Sequence, residues 1–136
     1  MEKKRRAASR AGFNFVLEQL SRTTSPNEIA ERIRSRVKDP HCHGIIVQLP
    51  LPKQLPRAQL LDLIPPVKDV DGLCTTNQVL LRNALKMHAG TPRFVPCAPE
   101  AVLHILKTSR VDLSSSKGAI FHRNVHFVIS LLSFYL

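Results

Sequence analysis

Lys4, Gln48 and the pair Asp69 and Asp71 are the side chains of this sequence whose type and setting could do chemistry. On a helical wheel over the opening EKKRRAASRAG, Lys4 shares a face with Ala7, Ala8 and Ala11, while Lys3, Arg5, Arg6 and Arg10 point elsewhere. An amine desolvated on a small-residue face among other cations can carry protons. The same residues also suit a frayed, solvated basic turn. Gln48 ends the apolar run Ile45, Ile46, Val47, and ligands of open α/β sheets bind beyond the carboxyl ends of strands. A strand-end amide bonded to a loop is the plainer alternative. Asp69 and Asp71 stand two apart, so in an extended segment their carboxylates share one side. Such a pair can bind metal or do acid and base work, and an Asp-Gly turn beside a lysine is also ordinary loop chemistry. His41, Cys42 and His43 are adjacent, point in different directions and have no second ligand pair nearby in sequence, so no metal site is expected.

Composition sets the frame for these groups. The chain has 136 residues, 43% of them hydrophobic, enough for one modest domain and too little for two. Its net charge of +10 favours anionic partners. A basic solvated surface accounts for that charge more simply than nucleic-acid binding does. Three cysteines without CxxC spacing indicate neither a disulfide framework nor a standard zinc site, and reduced thiols in an intracellular compartment fit best. The basic, Ala- and Ser-containing start has the composition of a targeting peptide, but Glu2 and the short length argue against one.

The positioning elements follow in chain order. A helix holds Lys4 and stops at Gly12, and Phe13, Phe15, Val16 and Leu17 suggest a strand. Ser25, Pro26 and Glu28 form a capping box with proline at N1, so a helix starts there. Its apolar stripe is Ile29, Ile33 and Val37, and Lys38-Asp39-Pro40 ends it. Ile45 to Val47 then form a β-branched strand of the kind buried on both faces, and Pro50 and Pro52 force the chain out of the sheet. A short helix lies between Pro56 and Ile64, stopped by Pro65-Pro66. This alternation predicts an α/β layer architecture.

The motifs GIIVQLPLP (44–52), KDVDG (68–72) and VPCAP (95–99) together resemble the bifunctional methylenetetrahydrofolate dehydrogenase/methenyltetrahydrofolate cyclohydrolase family. The resemblance runs from about residue 2 to residue 113 and is firmest from Gly44 to Pro99. It implies the folate-binding half of the family fold, a parallel-type sheet with flanking helices. Lys4, counted back from Gly12, matches the lysine that handles the proton transfers of the cyclohydrolase step. Gln48 matches the glutamine that hydrogen-bonds this lysine, Asp71 the aspartate that grips the amino-pterin edge, and Pro50 falls on the substrate side of the same motif. The implied reaction is oxidation of methylenetetrahydrofolate by NADP or NAD, then hydrolysis of the methenyl cation to 10-formyltetrahydrofolate. Tetrahydrofolate derivatives are the implied partners, homodimers the implied assembly, and cytoplasm or mitochondrion the implied compartment. A small basic module that uses EKKRR to contact nucleic acid or acidic lipid is the alternative.

The departures from the family carry their own expectations. The stacking tyrosine expected four residues before Lys4 falls ahead of Met1. Ala98 replaces a threonine, which would remove a cap from a helix starting at Pro99, a loss of about 1 kcal/mol. Residues 1–113 read as a partial catalytic domain. Residues 114–136 read as a vestigial start of the nucleotide-binding domain, with Lys117 to Phe121 as its first strand, followed by an unrelated apolar ending. No glycine-rich turn follows that strand, so no cofactor site and no Rossmann half is expected in this chain. Val125 to Leu136 falls short of the roughly 20 residues that span a bilayer, and is expected to favour association as an exposed apolar tail.

Overall fold

The structure, a computed structural model, describes residues 2–87, 94–110 and 112. Five helices are seen among them: α1 (Glu2–Arg10), α2 (Pro26–Lys38), α3 (Arg57–Leu61), α4 (Thr75–Met87) and α5 (Cys97–Thr108). The strand at Lys117 to Phe121, the apolar ending Val125 to Leu136 and the boundary near residue 113 lie outside the described residues.

Gly12 stops α1 through its left-handed backbone, φ 76°, a conformation costly for any residue with a Cβ. With glycine there, the Phe13 amide reaches back to the Ala8 carbonyl at 2.9 Å and the Gly12 amide to that of Ser9 at 3.1 Å, the paired bonds of a Schellman turn. Ser25 caps α2, its hydroxyl accepting the Glu28 amide at 3.2 Å with Pro26 in the first turn. At the other end Asp39 leaves the helix with extended backbone.

The core lies where α2 meets α3. Ala30 and Ile33 of α2 are buried with Leu60 and Ile64, and Ile29, Val37, Ile45, Val47, Leu51, Leu55 and Leu63 pack around them. The predicted stripe of α2 is therefore the face that packs; Ile45 and Val47 lie against it, whereas Ile46 is exposed, so the run is not buried on both faces. Burying side chains of this size stabilises by roughly 1.5–3 kcal/mol each.

Four local expectations need correction. Ile45 to Val47 do not form a continuous strand: Ile45 makes one isolated parallel bridge with Asp69, its amide donating to the Lys68 carbonyl at 2.8 Å. The ladder cannot extend because the partner segment turns at once, the Gly72 amide bonding the Asp69 carbonyl with Gly72 at φ 65°. Phe13 to Leu17 are not a strand either; Phe13 and Val16 are exposed, and an edge with no partner has nothing to pair with. The helix read between Pro56 and Ile64 is only α3, cut short where the Ile64 amide turns back to Leu61. Helix α5 starts at Cys97, not Pro99, with Pro96 at its cap, so Ala98 lies inside the first turn and takes no hydroxyl cap from the helix.

Lys68 joins α2 to the segment that follows α3. Its ammonium donates to the Val37 and Asp39 carbonyls, both at 2.8 Å, where a helix C-terminus leaves acceptors without partners and carries partial negative charge. Glu18 and Arg36 form an ion pair that fastens the loop after α1 to the outer face of α2.

Candidate functional site

The three sequence motifs, far apart in the chain, meet at the turn Lys68 to Gly72. Gly44 lies so close to Val70 that an added Cβ would stand 2.7 Å from Val70 Cγ1. Gly72 lies against the start of the third motif, where a Cβ would come 3.0 Å from the carbonyl oxygen of the preceding Phe94 and 3.5 Å from Pro96 Cδ. Glycine at both positions lets backbone approach where any side chain would hold it off. The middle motif is thus clamped between the other two, with Asp71 at its tip.

Asp71 is half-buried, and burial pushes its carboxyl above the ordinary value. The positive charge of Lys4 works against this rise, and the negative charge of Asp69 adds to it. Lys4 itself is exposed on α1, not desolvated on its small-residue face, and its charge acts on Asp71 across 67 positions of sequence. Gln48 and Pro50 are both exposed within the first motif, and the Leu49–Pro50 peptide is cis. The Gln48 amide donates to the adjacent Leu49 carbonyl at 2.7 Å rather than reaching Lys4. His41 and His43 are exposed, and the Cys42 thiol points at the Gly44 carbonyl at 3.6 Å.

Behind the turn is a buried polar cluster that sequence patterning does not isolate. Asp69 and Asn77 are each 2% exposed. Asp69 Oδ2 accepts the Cys74 amide and the Asn77 side-chain Nδ2, each at 2.9 Å. Asn77 also donates to the Pro66 carbonyl at 3.1 Å, and Asp62 takes both the amide and the hydroxyl of Thr75. Carboxylates thus occupy the first amides of α4. Asp69 and Asp71, paired in the sequence, differ here: Asp69 is buried against the start of α4 and Asp71 is half-buried. Asn77 was missed because nothing in a helical asparagine signals its partner eight positions earlier.

On the outer side of α1, Glu2, Lys3, Arg5, Arg6, Ser9 and Arg10 border an open concavity of about 700 Å³. One helix alone forms its wall, and Lys4 is not part of it.

A sequence profile of the tetrahydrofolate dehydrogenase/cyclohydrolase catalytic domain matches residues 1–71. The bifunctional protein FolD of Streptococcus thermophilus is 39% identical over 121 residues, which are 89% of this chain and 40% of that protein. FolD of Bacillus subtilis is 35% identical over the same length, covering 41% of its own chain. Among solved structures, the Trypanosoma brucei methylenetetrahydrofolate dehydrogenase-cyclohydrolase, crystallised with NADP and an inhibitor, superposes with a TM-score of 0.85 at 28% identity, covering 97% of this chain and 44% of the other. The Campylobacter jejuni enzyme gives 0.78 at 30% identity, over 97% and 46%. The fold is accordingly the α/β fold of these enzymes, and the chain spans about 40% of the length of the curated relatives it matches. By the profile match and by the clamp of its three motifs, this chain belongs to the tetrahydrofolate dehydrogenase/cyclohydrolase family.

Proposed function

We propose that this chain supplies the folate side of a methylenetetrahydrofolate dehydrogenase/methenyltetrahydrofolate cyclohydrolase. The observation that carries the reading is the half-buried Asp71 carboxyl in the turn where the three motifs converge, with the charge of Lys4 acting on it. Asp71 is the acceptor for the amino-pterin donors, a task suited to a carboxylate with two oxygens. Lys4 moves protons in the hydrolysis. As water bonds to the methenyl carbon, Lys4, as the free amine, takes one of its protons; it then helps pass the hydroxyl proton to N5 as the carbon–N5 bond breaks, leaving 10-formyltetrahydrofolate. Gln48 orients Lys4 and the incoming water, which requires its amide to leave the Leu49 carbonyl, and Pro50 shapes the wall beside them.

Hydride transfer to NADP or NAD is the other half of the reaction, and the nicotinamide supplies its redox chemistry. The described residues do not fit that group. A pyrophosphate needs free amides at a helix N-terminus beside clustered glycines. Here Asp69 and Asp62 take the first amides of α4, and Gly12, Gly44 and Gly72 stand singly.

The finer parts of the reading go with the family. The Ile45–Asp69 bridge supports a parallel-type sheet in the assembled fold. Exposed Val79, Leu80 and Ile105 are compatible with a homodimer, and three free cysteines with an intracellular compartment, cytoplasmic or mitochondrial. Among the described residues no helix is long and apolar enough to cross a membrane.

Fluorescence titration of the chain with tetrahydrofolate tests the proposal. Asp71→Ala should abolish binding, whereas Lys4→Met should spare binding and depress methenyltetrahydrofolate hydrolysis, because a proton carrier acts chiefly in the transition state. Equal affinities for the wild type and Asp71→Ala would show that no pterin site is assembled around this turn.

A further inference from the structure

We infer that Asp69 is the positioning residue of the site: through Asn77 of α4 it fixes the turn that presents Asp71. This rests on the folate reading for the purpose Asp71 serves, but not for the positioning itself. The starting point is a carboxylate 2% exposed whose side-chain partners are neutral, the Cys74 amide and the Asn77 amide. Removing a carboxylate from water without a cation beside it is costly, and an apolar side chain would fill the same space more cheaply for stability alone.

The geometry ties that carboxylate to Asp71. Asn77 Nδ2 lies within 2.9 Å of Asp69 Oδ2, 3.4 Å of the Asp69 carbonyl and 3.1 Å of the Pro66 carbonyl, so a single α4 side chain holds both ends of the segment 66–69. The Asp69 carbonyl also accepts the Gly72 amide at 3.1 Å, closing the turn in which Asp71 sits. Backbone and side chain of Asp69 are held together, leaving Asp71 little freedom to point elsewhere. The charged groups acting on Asp71 are Lys4 from α1 and Asp69 from its own turn, while Asp62 acts on Cys74 at the start of α4. Lys4 and Asp69 pull the Asp71 carboxyl in opposite directions, so its charge state depends on both.

Carbon-detected NMR titration of the Asp71 side-chain carboxyl, recorded on the whole chain without folate, reads the positioning directly. Asp69→Asn should fold with unchanged circular dichroism and move the Asp71 midpoint to lower pH, since one negative neighbour is gone. Loss of that charge moves the midpoint whether or not Asp69 positions Asp71, so the positioning is read from Asn77→Ala, which keeps the Asp69 charge and removes its side-chain tether. An Asp71 carboxyl resonance unchanged in shift and width there overturns the inference. Asn77→Ala should also weaken tetrahydrofolate binding by about tenfold, and unchanged affinity overturns the inference as well. If the wild type binds no tetrahydrofolate, the folate reading fails; the positioning is then decided by Asn77→Ala alone, read as broadening of the Asp71 resonance.

Discussion

Gly44 and Val70 touch where the first motif crosses the second, with room for a hydrogen and no room for a methyl group. Valine is stiff at χ1 and cannot swing its Cγ1 aside without strain. Gly44→Ala should destabilise the chain by about 1–3 kcal/mol, the usual range for overpacking. Adding Val70→Ala should recover most of that loss, a coupling that a double-mutant cycle in urea would measure. Additive losses would show that the contact does not hold the motifs together.

The Lys68 ammonium should matter to stability more than an exposed lysine does. Both of its bonds go to carbonyls at the end of α2, and both are partly buried. Lys68→Met keeps the hydrocarbon stem and deletes the donors, so the fold should lose about 2 kcal/mol. The loss should read as a lower urea midpoint at unchanged slope. A variant as stable as the wild type would mean that water replaces the ammonium without cost.

Asp71 predicts a pH dependence of definite sign. Burial raises its carboxyl above the ordinary value of 3.8, so the folded chain keeps this proton to higher pH than the unfolded chain. Its contribution to stability is fully present below the unfolded value and is lost as pH rises through the raised folded one. Asp71→Asn lacks the titration and should gain on the wild type across that window. Thermal melts of the two proteins on a pH series should diverge there, and parallel curves would contradict the burial of the carboxyl.

The three free cysteines should label in order of access and ionisation. Cys97 is exposed in the first turn of α5, whereas Cys74 is buried. Burial raises the Cys74 thiol, and the Asp69 and Asp62 charges add to the rise despite the Asn77 amide, so its thiolate is scarce. Iodoacetamide followed by mass spectrometry should find Cys97 modified well before Cys74.

How far the sequence could be read depended on whether a residue's partner was near or far. Ser25, Pro26 and Gly12 act within one turn, and their local chemistry stopped or started helices where expected. The stripe Ile29, Ile33, Val37 found its core because periodicity alone selects a helix face. The run Ile45 to Val47 misled, because β-branched residues favour extended backbone but cannot provide a neighbouring strand. Helix α4 went unread, although Thr75 and Asn77 carry its anchoring, because Asp62 and Asp69 satisfy its first turn from earlier in the chain. Asp71 and Lys4 were named through family motifs; that the two influence one another became visible only in three dimensions.

Helix α1 buries none of its residues, yet it carries the side chain proposed to move protons. A segment held so lightly opens at small free-energy cost, well below that of global unfolding. An arrangement that brings Lys4 onto Asp71 is therefore expected to be one member of an exchanging population. Apparent affinity for a ligand that needs both groups is the intrinsic affinity reduced by the docked fraction. A pterin bridging Asp71 and Lys4 would recruit the helix as it binds, and amide exchange in Lys4 to Arg10 should slow on saturation while exchange at Ile33 and Leu60 stays as it was.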